Sequence, residues 1–144
     1  MLENGVLLDR DCQPIYWHSP NGRTAGAIPD SRTLWDAFWN NRQKLYAFAH
    51  THPGSGPDLG PSYTDVTTFA AIEAALGMRI AWLILNEDYA VVCHHCTEPN
   101  AEPTDYKVTR IGTEGREWEV GLRRLSYGTA TIKRDSQPSN SVYY

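Results

Sequence analysis

Short apolar runs alternate along this chain with longer segments in which apolar residues recur about every four positions. A short run rich in branched and aromatic side chains, bounded by turn residues, predicts a buried strand. Six runs fit this description: Gly5–Leu8, Ile15–Trp17, Leu45–Ala49, Arg79–Leu85, Ala90–Cys93 and Tyr106–Ile111.

Three longer segments have the spacing of helices. They run from Asp30 or Ser31 to about Lys44, from Ser62 to about Leu76, and from Glu117 to Leu125. Gly77 supplies a C-terminal stop for the second helix. Trp118, Leu122 and Leu125 fall on one face of the third. Because strands and helices alternate, we expect an α/β or α+β fold in which helices cover a sheet.

The segment Thr51–Pro61, between the third strand and the second helix, is rich in glycine and proline and is therefore predicted to be a loop. No internal repeat or linker divides residues 1–133, which we predict to form one domain of ordinary size. The polar segment 134–144 is predicted to be a disordered tail.

Composition narrows the class of function. The formal net charge is −4 and no basic run occurs, which argues against a nucleic-acid partner. No apolar stretch approaches the length of a membrane span, and the first residues lack the features of a signal peptide. Three cysteines do not suggest a disulfide framework, so a reducing, cytoplasmic location is expected.

His50 and His52 follow the third predicted strand, and Asp65 follows one turn into the next helix. Side chains two residues apart on a strand point the same way, so both imidazoles can meet one metal ion. Two histidines and a carboxylate, with a fourth position for water, form a catalytic zinc arrangement. Two other interpretations stay open. The histidines can be solvated or hydrogen-bonded, and Ser62-x-x-Asp65 is also a capping box.

The run His-Thr-His-Pro at 50–53, followed by Pro-Ser-Tyr-Thr-Asp at 61–65, resembles the His-x-His-Pro…Ser-x-x-Asp signature of the JAMM (MPN-plus, JAB domain) zinc metalloproteases. The resemblance covers about residues 3–95. In its small size, the chain is similar to the prokaryotic or phage-type single-domain members of that family. It implies the JAB/MPN (cytidine deaminase-like) architecture, with a central mixed β-sheet flanked by helices.

The resemblance also implies roles for individual residues. His50, His52 and Asp65 would bind Zn²⁺, Glu3 would act as the general acid/base, and Ser62 would donate a hydrogen bond to the oxyanion. Two departures from the family pattern are visible. Nine residues separate His52 from Ser62, more than is usual, and the helix that ordinarily precedes the first strand is missing.

The implied function is a zinc-dependent metallopeptidase or isopeptidase that hydrolyses an amide bond with a metal-activated water. Its expected partner is a protein substrate with a flexible, Gly-rich C-terminal tail, such as a ubiquitin-like or sulfur-carrier protein. The alternatives are a non-catalytic MPN-type scaffold, which would bind partners through its aromatic residues, and the peptidase part of a phage tail-assembly system. A nucleic-acid-directed role is a third class, against which the acidic balance speaks.

A second constellation, Cys93-His94-His95-Cys96, could in principle bind zinc, but no second ligand pair stands at a suitable spacing. A zinc deaminase signature requires H-x-E and P-C-x-x-C, whereas this chain has H-x-H and a valine before Cys93. We therefore expect a structural or incidental role for these four residues.

Overall fold

The computed structural model describes residues 3–19, 32–112 and 115–128. All six predicted strands are present: β1 (Gly5–Asp9), β2 (Pro14–His18), β3 (Leu45–Thr51), β4 (Ala81–Leu85), β5 (Ala90–His95) and β6 (Tyr106–Ile111). The three helices are α1 (Arg32–Asn40), α2 (Tyr63–Leu76) and α3 (Glu117–Tyr127). The predicted caps Asp30 and Ser31, and the predicted tail 134–144, lie outside the described residues.

The strands form one mixed sheet in the order β2-β1-β3-β4-β5-β6. Only β3 and β4 pair in parallel, and the other neighbours are antiparallel. A parallel pair requires a crossover connection, and α2 supplies it between β3 and β4. The general class, a mixed sheet with helices, is therefore as predicted.

Both faces of the sheet are covered. On one face, Leu83 and Val92 belong to a core that includes Trp118 and Leu122 of α3. On the other, Leu7, Phe48 and Trp82 pack with residues of α1 and α2, and the rings of Phe69 and Trp82 stack at 4.3 Å. The sheet is therefore the middle of three layers, with α1 and α2 on one side and α3 on the other.

A buried carboxylate fixes α2 against the sheet. Glu73 accepts hydrogen bonds from Arg79 Nη1 at 2.9 Å, from the Ile80 amide at 3.1 Å and from Trp82 Nε1 at 3.0 Å. The Tyr106 hydroxyl donates a further bond to the same carboxylate. Because four donors meet one buried charge, α2 is held in a single position over β4 and β6.

Helix α3 differs from its prediction in the face that it buries. Trp118 and Leu122 are buried as expected, but Leu125 is 45% exposed. The buried side is rotated toward Glu119 and Arg123, which form an ion pair at 2.8 Å. The Arg123 guanidinium also donates to the carbonyls of residues 86 and 89, so polar bonding rather than apolar spacing sets this face. No helix within the described ranges is long and apolar enough to cross a membrane.

Candidate metal centre

The two predicted histidines lie side by side at the end of β3. His50 is the last but one residue of β3, and His52 is the first residue after the strand ends at Thr51. Their Nε2 atoms are 3.2 Å apart. The His52 amide donates to the Leu85 carbonyl at 2.8 Å, and the Tyr127 hydroxyl donates to the His52 carbonyl. The backbone that carries the second imidazole is therefore held from β4 and from α3.

The first imidazole is buried in an aromatic environment. The ring of His50 lies 5.9 Å from that of Phe48 and 6.1 Å from that of Phe69. Gly5 pairs with His50 on the neighbouring strand, and a Cβ there would come within 2.4 Å of the Phe48 ring. The glycine thus leaves space for the ring that packs against His50.

Asp65 reaches the histidines from the first turn of α2. Its Oδ2 is 2.8 Å from His52 Nε2, and its Oδ1 is 3.6 Å from His50 Nε2. The capping box is also present: the Asp65 amide donates to Ser62 Oγ at 3.0 Å, and the Ser62 amide donates to Asp65 Oδ2 at 2.9 Å. The two interpretations of Ser62-x-x-Asp65 are therefore compatible, since the cap itself directs Asp65 toward the imidazoles.

Glu3 completes the group from the residues that precede β1. Its side chain is 1% exposed, and its Oε2 has no hydrogen-bond partner among the described residues. Glu3, His50 and His52 each offer a ligand atom within 4.8 Å of the others, so this group could hold a metal ion. Asp65 borders the same two imidazoles, at 2.8 Å from His52 Nε2 and 3.6 Å from His50 Nε2.

The two carboxylates differ in their ionisation. Burial raises the pKa of Glu3 to about 7, an effect that the nearby charge of His52 opposes only in part. Burial also disfavours the charged form of Asp65, but hydrogen bonds from His50, His52 and the Ser62 amide outweigh it and hold the pKa well below its usual range. The site therefore contains one carboxylate that is firmly ionised and one that takes up a proton near neutral pH.

The imidazoles are also distinguished. Burial lowers the pKa of His50, whose Nδ1 has no partner among the described residues. Burial lowers the pKa of His52 as well, but the hydrogen bond and charge of Asp65, together with the charge of Glu3, outweigh it and raise the pKa above its usual value. His50 is thus the more readily neutral of the two.

A buried polar network that the sequence did not reveal joins Glu3 to the histidines. We call Asn4, Thr51 and Ser126 the α3 clamp. The Asn4 amide donates to Thr51 Oγ1 at 3.1 Å, Asn4 Nδ2 donates to Ser126 Oγ at 2.9 Å, and the two hydroxyls are 2.8 Å apart. Asn4 follows Glu3 and Thr51 lies between the histidines, so the clamp fixes both parts of the site relative to each other.

The predicted glycine- and proline-rich loop is tied down on its outer side. Asn86 Nδ2 donates to the Gly56 carbonyl at 2.8 Å, the Glu87 amide to the Gly54 carbonyl at 3.1 Å, and Arg110 Nη2 to the Pro57 carbonyl at 3.1 Å. Gly54 and Gly56 have φ angles of 108° and 115°, which other residues rarely adopt. These bonds hold the loop in the conformation in which Asp65 lies 2.8 Å from His52.

Within residues 3–19, 32–112 and 115–128, the Cys93-His94-His95-Cys96 segment forms no comparable cluster. Cys93 is buried in the core, and the three cysteines of the chain are all free thiols. His95 Nε2 lies 2.9 Å from the Glu102 carbonyl, beside the ring of Tyr106.

Comparison with protein-family models gives no match for this chain, and no curated protein matches it. The likeness to the JAMM signature therefore rests on the residues and their arrangement. That arrangement is a strand that ends at Thr51, a loop, and a helix that Ser62 caps.

Proposed function

We propose that this protein is a zinc-dependent hydrolase that cleaves an amide bond in a protein substrate, as a JAMM-like peptidase or isopeptidase. The observation that carries the proposal is the meeting of His50, His52 and Asp65, whose facing nitrogen and oxygen atoms lie 2.8–3.6 Å apart, with the unpartnered carboxyl oxygen of Glu3 beside them. The residue types and their order agree with the resemblance described above.

The donor set fits zinc. Zinc–nitrogen bonds are about 2.0–2.1 Å long, so two ligand atoms of a tetrahedral site lie roughly 3.3 Å apart. The Nε2 atoms of His50 and His52 are 3.2 Å apart, and the nearest oxygens of Asp65 are Oδ2 at 2.8 Å from His52 and Oδ1 at 3.6 Å from His50. Two imidazoles and a carboxylate leave the fourth position to water, as in catalytic zinc sites.

The residues around the donors suit amide hydrolysis. Bound zinc supplies a water that ionises near neutral pH. Glu3, beside these donors, would hold a proton and pass it to the leaving amine, a role that its pKa of about 7 suits. The Ser62 hydroxyl accepts from the Asp65 amide and keeps its own hydrogen for the oxyanion of the substrate. Asp65 stays ionised and keeps both imidazoles in place.

The substrate class follows from the resemblance rather than from a contact in the structure. It suggests a flexible, Gly-rich C-terminal tail, as in ubiquitin-like or sulfur-carrier proteins, or a protein of a phage tail-assembly system. The alternative, a non-catalytic scaffold, is supported by aromatic side chains that stand at the surface. Tyr63 beside the capping serine is 79% exposed, and Trp39 is 41% exposed.

Metal analysis tests the proposal first. We expect about one zinc per chain in the purified protein, and its loss in His52→Ala and Asp65→Ala. His95→Ala is the matched control, because it removes a histidine from the other constellation and should leave the zinc in place. Zinc that persists in His52→Ala, or a protein that takes up none after reconstitution, would contradict the metal site and favour the scaffold.

Zinc binding without cleavage would leave the chemistry unsupported, so activity needs its own measurement. Fusions that end in a Gly-rich tail, joined through a peptide or an isopeptide bond, are incubated with the zinc-loaded protein and analysed by mass spectrometry. Cleavage that Asp65→Ala abolishes supports a hydrolase. Tight binding of the fusion without cleavage supports the scaffold.

A further inference from the structure

A cavity opens at the end of the sheet where β3 and β4 begin, whereas the metal centre lies at the end where β3 stops. The volume of the cavity is about 760 Å³, which falls within the usual range of small-molecule sites. Leu45 and Ala81, which begin β3 and β4, lie on its wall, whereas His50 stands at the other end of β3. The cavity is therefore separate from the site of the proposed hydrolysis.

The wall of the cavity carries positive charge. Arg10 and Arg79 supply this charge, and no aspartate or glutamate among the described residues lines the cavity. His94 and His95 line it as well. This composition runs against that of the whole chain, in which 17 acidic residues outnumber 13 lysines and arginines. Glu73 binds Arg79 from within the core, but that carboxylate is 2% exposed and already meets four donors.

Both arginines are held in place with donors to spare. Arg10 Nη1 donates to the Gln43 carbonyl at 2.9 Å, and Arg79 Nη1 donates to Glu73 Oε1 at 2.9 Å. A guanidinium has five N–H groups, so one such bond fixes its direction and leaves others for a ligand. Fixed guanidinium forks are well suited to the oxygen atoms of carboxylates and phosphates.

The remaining wall is apolar or aromatic. It is formed by Leu45, Tyr46, Met78, Ile80 and Ala81, and Cys96 and Thr97 complete the lining. A small ligand that combines an oxyanion with an apolar body would meet both parts of this surface. The segment His94–Cys96, which has no part in the metal centre, thereby acquires a place in a binding site.

We propose that this cavity binds a small molecule that carries a phosphate or carboxylate group on an apolar body, with Arg10 and Arg79 contacting the anionic group. The site is independent of the zinc chemistry proposed above. Ligand binding in the cavity and hydrolysis at the metal centre can therefore be tested separately, since the cavity lies at the start of β3 and the metal centre at its end.

Phosphate and phenyl phosphate are suitable probes, titrated into the ¹⁵N-labelled protein at constant pH and ionic strength. We expect saturable shifts of the amides of Ala81 and His94–Thr97, with tighter binding of phenyl phosphate. Arg10→Gln should weaken binding roughly ten-fold, as expected for the loss of a charge-assisted hydrogen bond. Arg124→Gln, which removes an exposed arginine of α3, is the matched control and should bind normally.

Several results would overturn the proposal. Shifts that rise linearly, or that sodium chloride reproduces, indicate screening rather than a site. Shifts confined to residues around His50 place the phosphate at the metal centre. Equal affinity for the two probes would contradict the proposed contact with the apolar wall. Unchanged binding by Arg10→Gln would contradict the proposed contact between Arg10 and the anionic group. Circular dichroism of each variant verifies that Arg10→Gln, a change in an exposed turn, keeps the fold.

Discussion

Two carboxylates border the same pair of histidines, and their surroundings move their pKa values in opposite directions. Asp65 is held ionised by hydrogen bonds, whereas burial raises the pKa of Glu3 to about 7. A pair of carboxylates separated in this way divides the work between a permanently charged ligand and a proton carrier. The geometry alone allows Glu3 to be a ligand as well, so a substitution has to distinguish the two roles.

Glu3→Gln provides that distinction, because it removes the proposed proton carrier but keeps the size of the side chain. We expect it to retain zinc and to lower kcat by about 10²–10⁴-fold, the usual contribution of a general acid or base. Zinc content and turnover are measured on the same preparation. Glu117→Gln, on the exposed side of α3, is the control. A Glu3→Gln protein that loses its zinc would make Glu3 a ligand.

His18 is a second residue whose ionisation affects the whole protein. It is buried, burial lowers its pKa below 6.5, and its Nε2 has no partner within the described residues. The unfolded chain therefore binds a proton at a higher pH than the folded protein does. Above pH 6.5 His18 is neutral in both states and costs the folded protein no stability. As the pH falls from 6.5 toward the lower pKa of the folded state, His18 takes up a proton in the unfolded chain first, and the free energy of unfolding decreases.

Urea unfolding at pH 7.5 and 5.5, two values chosen to lie about one unit either side of the ordinary histidine pKa, tests this expectation. The parent should lose free energy of unfolding between the two values, and His18→Gln, which cannot titrate, should lose less. His50 and His94 also have lowered pKa values and contribute to the common slope, so the difference between the two proteins is the quantity of interest. Equal slopes would show that His18 does not contribute.

At the scale of elements, the N-terminus of α2 serves the fold and the site together. Ser62→Ala removes the side-chain cap and should lower the free energy of unfolding by about 0.5–2 kcal/mol. It also removes the hydroxyl proposed for the oxyanion, which should lower kcat by about 10²–10³-fold. Ser62→Thr restores the cap and keeps a hydroxyl. If Ser62→Ala loses stability and keeps full activity, the hydroxyl acts as a cap alone.

Helix α3 contributes through the α3 clamp at its C-terminal end. Ser126→Ala removes one hydrogen-bond partner from the side-chain Nδ2 of Asn4 and one from the Thr51 hydroxyl, and we expect a loss of about 1–3 kcal/mol in the free energy of unfolding. Urea unfolding measures it, with Thr68→Ala on the exposed side of α2 as the control. A change no larger than that of the control would show that the clamp contributes no stability.

The sequence was informative where local patterns decide the structure. Strands such as Leu45–Ala49 were found because their apolar residues form continuous runs, and the structure only extends that one to Thr51. The burial of Glu119 and Arg123 could not be found, because charged residues predict an exposed face until their partners are known. Likewise nothing local joins Ser126 to Asn4, since they meet only when α3 packs across the sheet.

At the scale of the whole molecule, the candidate metal centre joins segments that are far apart in sequence. Glu3 precedes β1, the histidines end β3, and Asp65 begins α2. An ion bound to the folded protein alone stabilises it in proportion to the logarithm of its concentration over Kd, which is about 2.7 kcal/mol at a hundred-fold excess. The unfolded chain keeps only local ligands, the His50-x-His52 pair and the Cys93–Cys96 segment, and any zinc that it binds there reduces this stabilisation.

Removal of the metal should therefore lower thermal stability in a way that depends on these residues. We expect a chelator to lower Tm in the parent and added zinc to restore it. His52→Ala should show neither response, whereas His95→Ala should behave as the parent does. Differential scanning calorimetry gives Tm in each case. Zinc that raises Tm equally in His52→Ala would be acting elsewhere on the chain, and the meeting of Glu3, His50, His52 and Asp65 would then need a purely structural explanation.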